Sequence, residues 1–266
     1  MESIRVSAVA TSAVTFGLAN GFRAFDQAFR LVHDQYVRRH YTAPHPSGRH
    51  VPARHRLGCS RVFVAEAAGD IVGTVTLIED SEAGLPMDEI YAGELRPLRR
   101  ARHRIAEVSS LATRPSDRAA ALEVLMGLMR LLVIYAAELA WLDDLCIAVN
   151  PRHAPFYTRV LQFRPFGPLR SFPRVNGAPA VGLRLELDLV RNLIRIGESG
   201  HTFRNEVYRF FFARSNVQEA VRRLVSTLPG SVLTPSQLAA LTGEPDSRAG
   251  SSRTVADPVL AVEASA

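Results

Sequence analysis

The stretch RIAEVSSLAT (Arg104 to Thr113) reads as a strand, Pro115, Ser116 and Asp117 supply a helix start, and an apolar helix runs on to about Trp141. LCIAVN (Leu145 to Asn150) then resumes as a strand and leads into a short helix around Phe156 to Leu161. Upstream, RVFVAEA (Arg61 to Ala67) and IVGTVTLIE (Ile71 to Glu79) are joined by Ala68, Gly69 and Asp70, the pattern of a hairpin. From Gly21 to Val37 the residues Phe22, Phe25, Phe29, Val32 and Tyr36 recur three or four apart, which sets them on one helical face. Pro44, Pro46 and Pro52 break the chain between Arg38 and Leu57 into a long loop, and the polar segment from Asp80 to Arg104 is expected to be irregular. Downstream, two further strands flank FPRVNGAPA and end near Leu187. This order implies an α/β fold over residues 1–190, a mixed sheet flanked by helices. A helical C-terminal extension over 191–245 includes Phe203 to Leu228 and the capped TPSQLAALTG (Thr234 to Gly243), and residues 246–266 have the composition of a disordered tail.

The chain of 266 residues is 47% hydrophobic, enough for a large core plus an appendage. Its net charge of +6 rests on arginine alone, since none of the 32 basic residues is lysine. That bias fits a GC-rich genome and is discounted as a sign of nucleic-acid binding, although a basic surface still attracts acidic partners. Cys59 and Cys146 are too few for a disulfide framework or a zinc site, so a reducing cytoplasm is expected. MESIRVSAVATSAV lacks a long apolar segment closed by a cleavage site and reads as a strand rather than a signal peptide. The apolar run Ala119 to Leu142 is interrupted by Glu123, Arg130 and Glu138, as a buried helix would be and a transmembrane segment would not. His33, His40, His45, His50 and His55 lie close together, but their spacing lacks a helical ligand pair; no metal is expected, and the stretch reads as a polar loop.

NPRHAPFYTRVLQF (Asn150 to Phe163) resembles the closing motif of GNAT acyltransferases, with Asn at a strand end, an aromatic pair opening the next helix and a Phe closing it. EVSSLAT (Glu107 to Thr113) is similar to the central strand of N-acyl amino acid synthases of the FeeM type and, more distantly, of autoinducer synthases. The resemblance implies a GNAT fold in which the strand bearing Asn150 splays from its neighbour and the thioester arm passes through the gap. It implies a cytoplasmic, bacterial enzyme that moves a fatty acyl group from a carrier thioester to the amine of an amino acid or similar small molecule. Glu107 would then be the general base, directly or through a water, and Tyr157 the acid that protonates the departing thiolate. Backbone N–H groups near Ser109, Ser110 and Leu111, with Asn150, would hold the donor and its oxyanion. Each residue also has a bland role, Glu107 as a strand-edge ion-pair partner and Tyr157 as packing.

One departure bears on the donor. Coenzyme A-dependent relatives follow this strand with a basic, glycine-rich turn that cradles a diphosphate. Here the turn reads Arg114, Pro115, Ser116, Asp117, Arg118, Ala119, without glycine, with one donor removed by proline and with an acid where the diphosphate would sit. A phosphopantetheine arm on an acyl carrier protein fits better than coenzyme A, and no bound cofactor is implied. An acidic carrier would suit Arg96, Arg99, Arg100, Arg102 and Arg104, although such a run is commonly only a solvated face. Arg23 or Arg61 could hold an acceptor carboxylate. Homoserine lactone synthesis fits less well, because the sole tryptophan, Trp141, stands far from an N-terminal cofactor site. An acetyl-coenzyme A enzyme and a noncatalytic acyl-binding module remain alternatives. Phe210, Phe211 and Phe212 leave open packing on the catalytic domain, a homodimer or a membrane surface, with the first two favoured.

Overall fold

The computed structural model describes residues 14–52, 55, 58–114 and 118–242. The N-terminal stretch read as a strand falls almost wholly outside them, as do the turn at 115–117 and the tail from 246. Seven strands form one sheet: β1 (Thr15–Leu18), β2 (Ser60–Ala67), β3 (Asp70–Glu79), β4 (Ile105–Thr113), β5 (Asp144–Val149), β6 (Arg164–Phe172) and β7 (Ala178–Glu186), in spatial order β1-β2-β3-β4-β5-β7-β6. Every neighbouring pair is antiparallel except β4 and β5, which are parallel and therefore need a crossover; the apolar helix α3 between them supplies it.

Two helices cover one face. In α1 (Gly21–Arg38) the stripe Phe25, Ala28, Phe29 and Val32 packs on Val62, Val64, Ile71 and Ala112. In α2 (Asp88–Arg100) Tyr91, Leu95 and Leu98 pack on Ile78, Ile105 and Cys146. The irregular segment expected between Asp80 and Arg104 is thus corrected: most of it is helix. Gly93 and Pro97 obscured it, and Tyr91 at φ −129° bends it, yet three apolar residues at helical spacing and tertiary packing are enough. Tyr91 also donates its hydroxyl toward the carbonyls of Pro168 and Ala180, which ties α2 to the β6–β7 edge.

The other face carries α3 (Arg118–Ile134), which continues as a π-helical turn at Tyr135–Leu139 and ends near the expected Trp141. The helix Ala119–Leu139 is long and apolar enough to cross a membrane, but Leu128, Met129, Leu131 and Leu132 pack in the sheet's core. Beside it lie α5 (Leu187–Glu198), α6 (Glu206–Phe212) and α7 (Arg214–Thr227), whose Val190, Ile194, Phe211, Phe212, Val217 and Leu224 join the same core. The phenylalanine run therefore packs: Phe211 and Phe212 are buried, and the Arg130 guanidinium lies 4.6 Å over the Phe210 ring. A short helix, α4 (Ala154–Arg159), follows β5. The last helix, α8 (Pro235–Thr242), has the expected reciprocal cap: Thr234 N–H donates to Gln237 Oε1 at 2.9 Å and Gln237 N–H to Thr234 Oγ1 at 3.3 Å.

Candidate active site

β4 and β5 run side by side through three pairs only, Ile105 with Asp144, Ala106 with Leu145 and Glu107 with Cys146. Beyond them β4 stays with β3 as far as Thr113 opposite Gly73, and β5 stays with β7 as far as Val149 opposite Val181, so the two strands part. The cause is a bulge in β4. Ser109 faces Thr76 and Ala112 faces Thr74, which leaves Ser110 and Leu111 against a single residue of β3. Ser110 adopts φ 53°, a left-handed conformation uncommon for a residue with a Cβ, and such a bulge bends the strand that holds it.

Glu107 stands at the last joined pair. Directly opposed residues point to one face of a sheet, and its partners Ile78 and Cys146 both lie under α2. The residue is only 3% exposed, and its Oε2 accepts a hydrogen bond from the Met87 N–H at 2.7 Å, so the start of α2 helps to fix the carboxylate. A carboxylate withdrawn from water is costly unless it is hydrogen-bonded, and the Met87 N–H supplies such a bond here.

Two phenols share this neighbourhood. Tyr157, on α4, is 4% exposed and edge-on to Phe156 and Phe163 at 5.3 and 5.8 Å between centroids. Burial, and after it the adjacent Tyr36, raises its pKa well above that of a free phenol. Tyr36, near the end of α1, was read from sequence only as part of an apolar stripe. Burial pushes its pKa up to about 12, with the Ser110 hydroxyl opposing and the Glu107 charge adding to the rise. Both phenols are thus held in the protonated form at neutral pH. The Cys146 thiol beside Glu107 is likewise pushed up, by burial and then by Asp144 and Glu107, which disfavours a thiolate there.

The remaining expected site residues scatter. Ser109, opposite Thr76, faces the α1 layer, while Ser110 and Leu111 form the bulge. Asn150 follows β5 at the open end and uses its Oδ1 to cap the turn Pro151–His153, accepting from Arg152 N–H at 3.2 Å. Arg61 lies opposite Leu77 and so points to the α3 face, away from Glu107; its guanidinium donates to the Gly58 and Ser60 carbonyls. Arg23 reaches the Gly69 carbonyl at the far hairpin. Arg99 commits its guanidinium to Asp80 and Asp88 in four hydrogen bonds of 2.6 to 2.9 Å, which raises its pKa further. Arg96, Arg100, Arg102 and Arg104 are exposed, but they precede β4 at the joined end of the strand pair rather than the open one. The five histidines do not converge, and among the described residues no three His, Cys, Asp or Glu groups are placed to hold a metal. His33 accepts from His45 N–H and His50 N–H donates to the Phe29 carbonyl, so the loop is strapped along α1. The start of that loop, from His40 to Pro44, lines a cleft of about 670 Å³ between the end of α1 and the β6–β7 turn.

A buried acid, two phenols and a bulged strand meet at this opening, and a sheet that parts between its parallel strands is the arrangement that the GNAT resemblance implied. Fold and site together define an N-acyltransferase. Residues 27–186 match the family model of the N-acyl amino acid synthase FeeM. The structure of FeeM, from uncultured soil microbes, aligns with a TM-score of 0.60 at 30% identity, covering 68% of this chain and 93% of that one. The AHL synthase LasI shares the fold at a TM-score of 0.51 and 15% identity, over 66% of this chain and 89% of its own. No curated protein matches the sequence. The chain belongs to the FeeM family of N-acyl amino acid synthases.

Proposed function

We propose that this protein transfers a fatty acyl group from the thioester of an acyl carrier protein to the amine of an amino acid. The observation that carries the reading is the parting of β4 from β5 immediately beyond the buried Glu107. An extended phosphopantetheine arm, with its two amides, can lie along the unpaired edge of β4 as an added strand would. The amine, entering from the face toward which Glu107 points, attacks the thioester carbonyl as Glu107 takes its proton. N–H groups at the Ser110–Leu111 bulge receive the negative charge that develops on the carbonyl oxygen. As the C–S bond breaks, Tyr157 or Tyr36 gives the thiolate a proton; Glu107 then releases the amine's proton to solvent, from which the phenolate is reprotonated, and amide and free carrier thiol leave.

A carrier rather than coenzyme A is favoured by the sequence Arg114 to Ala119, which lacks the glycines of a diphosphate cradle. At the open end of the strands Arg114, Arg152 and Arg159 are exposed, better placed for an acidic carrier than Arg99 or Arg100. The test is mass spectrometry of lipid extracts from a host expressing the wild type or Glu107→Gln. Acylated amino acids are expected with the wild type and at least about 100-fold less with the variant. Equal amounts from both would remove Glu107 from the chemistry, and purified enzyme given acyl carrier protein or acyl-coenzyme A would separate the donors.

A further inference from the structure

An amino acid acceptor brings a carboxylate as well as an amine, and a buried base attracts only the amine end. Neither arginine that the sequence offered for the carboxylate can serve, since Arg61 points to the opposite face of the sheet and Arg23 is held at the distant β2–β3 hairpin. The cleft between the end of α1 and the β6–β7 turn contains another. Its walls include Val37, Tyr41 and Pro173, and its polar groups include Arg174 and Asn176. On one side the Tyr41 ring of its wall stands edge-on at 5.7 Å to Tyr36, the tyrosine that neighbours Tyr157 and feels the Glu107 charge. On the other side Arg174 Nε pairs at 2.9 Å with Glu89 of α2, the helix opened by Met87, whose N–H binds Glu107.

We propose that this cleft is the acceptor site and that Arg174 binds the acceptor's carboxylate, so that a zwitterion lies head to tail with its amine toward Glu107. The proposal rests on the reading above and adds to it the group that selects an amino acid over a simple amine. A guanidinium fork matches a carboxylate in plane and in spacing. Arg174 is suited to this role because its side chain is 46% exposed and is steadied, not enclosed, by Glu89. The turn that carries it is also fixed: Asn176 adopts φ 55° and donates its amide to the His40 carbonyl at 3.3 Å, which fastens the β6–β7 turn to the end of α1. Val37, Tyr41 and Pro173 give the acceptor's side chain an apolar surface to lie on.

The experiment compares wild type, Arg174→Gln, Arg174→Lys and Glu89→Gln. Each is assayed with the standard amino acids and, for every one that is acylated, with the amine that lacks its carboxylate. Arg174→Gln is expected to raise KM for the amino acid by about tenfold or more, the scale of one lost charge-assisted contact. It should leave kcat at saturation and the KM of the matching amine nearly unchanged; Arg174→Lys should recover part of the loss. Glu89→Gln is expected to leave the amino acid KM equal or lower, since it removes a competitor for the guanidinium. Parallel losses for acid and amine, or an unchanged amino acid KM, overturn the assignment. Calorimetric titration of the same amino acids into donor-free protein separates this failure from the other. Binding weakened by Arg174→Gln without turnover in the wild type sustains the site and sinks the transfer reaction; turnover in the wild type with unaltered binding in the variant does the reverse.

Discussion

Tyr36 and His55 show how much a single side chain's surroundings decide. The phenol of Tyr36 keeps its proton to about 12 because it is buried beside a carboxylate. If it supplies the thiolate's proton or props the Ser110 hydroxyl, Tyr36→Phe should lower kcat by about 10-fold or more while the acceptor's KM moves little, as steady-state kinetics would read. His55 is packed between Phe25 and Phe29 and shares a 2.7 Å hydrogen bond with the Ser60 hydroxyl. Burial, then the Arg61 charge, lowers its pKa from 6.5 to about 4. The unfolded chain therefore binds this proton more readily than the folded one between those values. Stability contributed by the neutral ring is full above 6.5 and lost as the pH falls toward 4, a loss of about 3 kcal/mol in all. Urea unfolding at successive pH values should show this slope, and His55→Phe should flatten it. Glu107 was singled out in sequence by its place in a stretch that resembles the family's central strand, and the structure sets it, buried, at the last pair joining β4 and β5. Tyr36 was not, because a tyrosine ending an apolar stripe looks like core until the tertiary fold sets a carboxylate beside it.

The joined part of β4 and β5 depends on one buried acid. Asp144 is fully buried, and its carboxylate binds His103 Nδ1 at 2.6 Å and Arg184 Nε at 2.7 Å, so it links the loop before β4, β5 itself and β7. Replacing Asp144 by alanine should cost about 3 kcal/mol or more, because two partners lose their carboxylate together. Thermal melts would measure this, and activity should fall further than folding if the strands no longer meet at Glu107. At this scale β2 to β5 and α1 were readable, since their apolar periodicity survives in isolation, whereas β1 (Thr15–Leu18) lies just past the stretch read as the first strand. The helix α2 was not: the charges and proline of DEIYAGELRPLRR argue for a loop, and only Tyr91, Leu95 and Leu98 meeting Ile78 and Ile105 outweigh them. The bulge at Ser110 was also hidden, because a left-handed serine carries no signature in sequence.

Across the molecule, the C-terminal helices complete the catalytic unit. The family match ends at 186, yet α5, α6 and α7 cover the outer side of α3, and α7 reaches back to β1, where Leu18 N–H donates to the Thr227 hydroxyl at 3.1 Å. A chain ended at Leu187 would expose the faces that meet Val190, Ile194, Phe211 and Leu224, each worth roughly 1.5–3 kcal/mol when buried. It should lose its cooperative melt by circular dichroism; a truncated chain melting like the full one would show these helices to be ornamental. Sequence pattern located this extension and its phenylalanines, but whether they packed inward or paired two molecules depended on the shape of α3.

Because only three residue pairs join β4 to β5, the sheet is in effect two leaves sharing a short seam. The leaf β1–β4 carries the bulge that would receive the thioester, and the leaf β5–β7–β6 carries the turn that frames the acceptor cleft. Each keeps its own ladder beyond the seam, so the turn between β6 and β7 can change in length or composition without altering the register of β4. Such a division lets a lineage, or an engineer, retune which amine is accepted while the donor half is inherited intact.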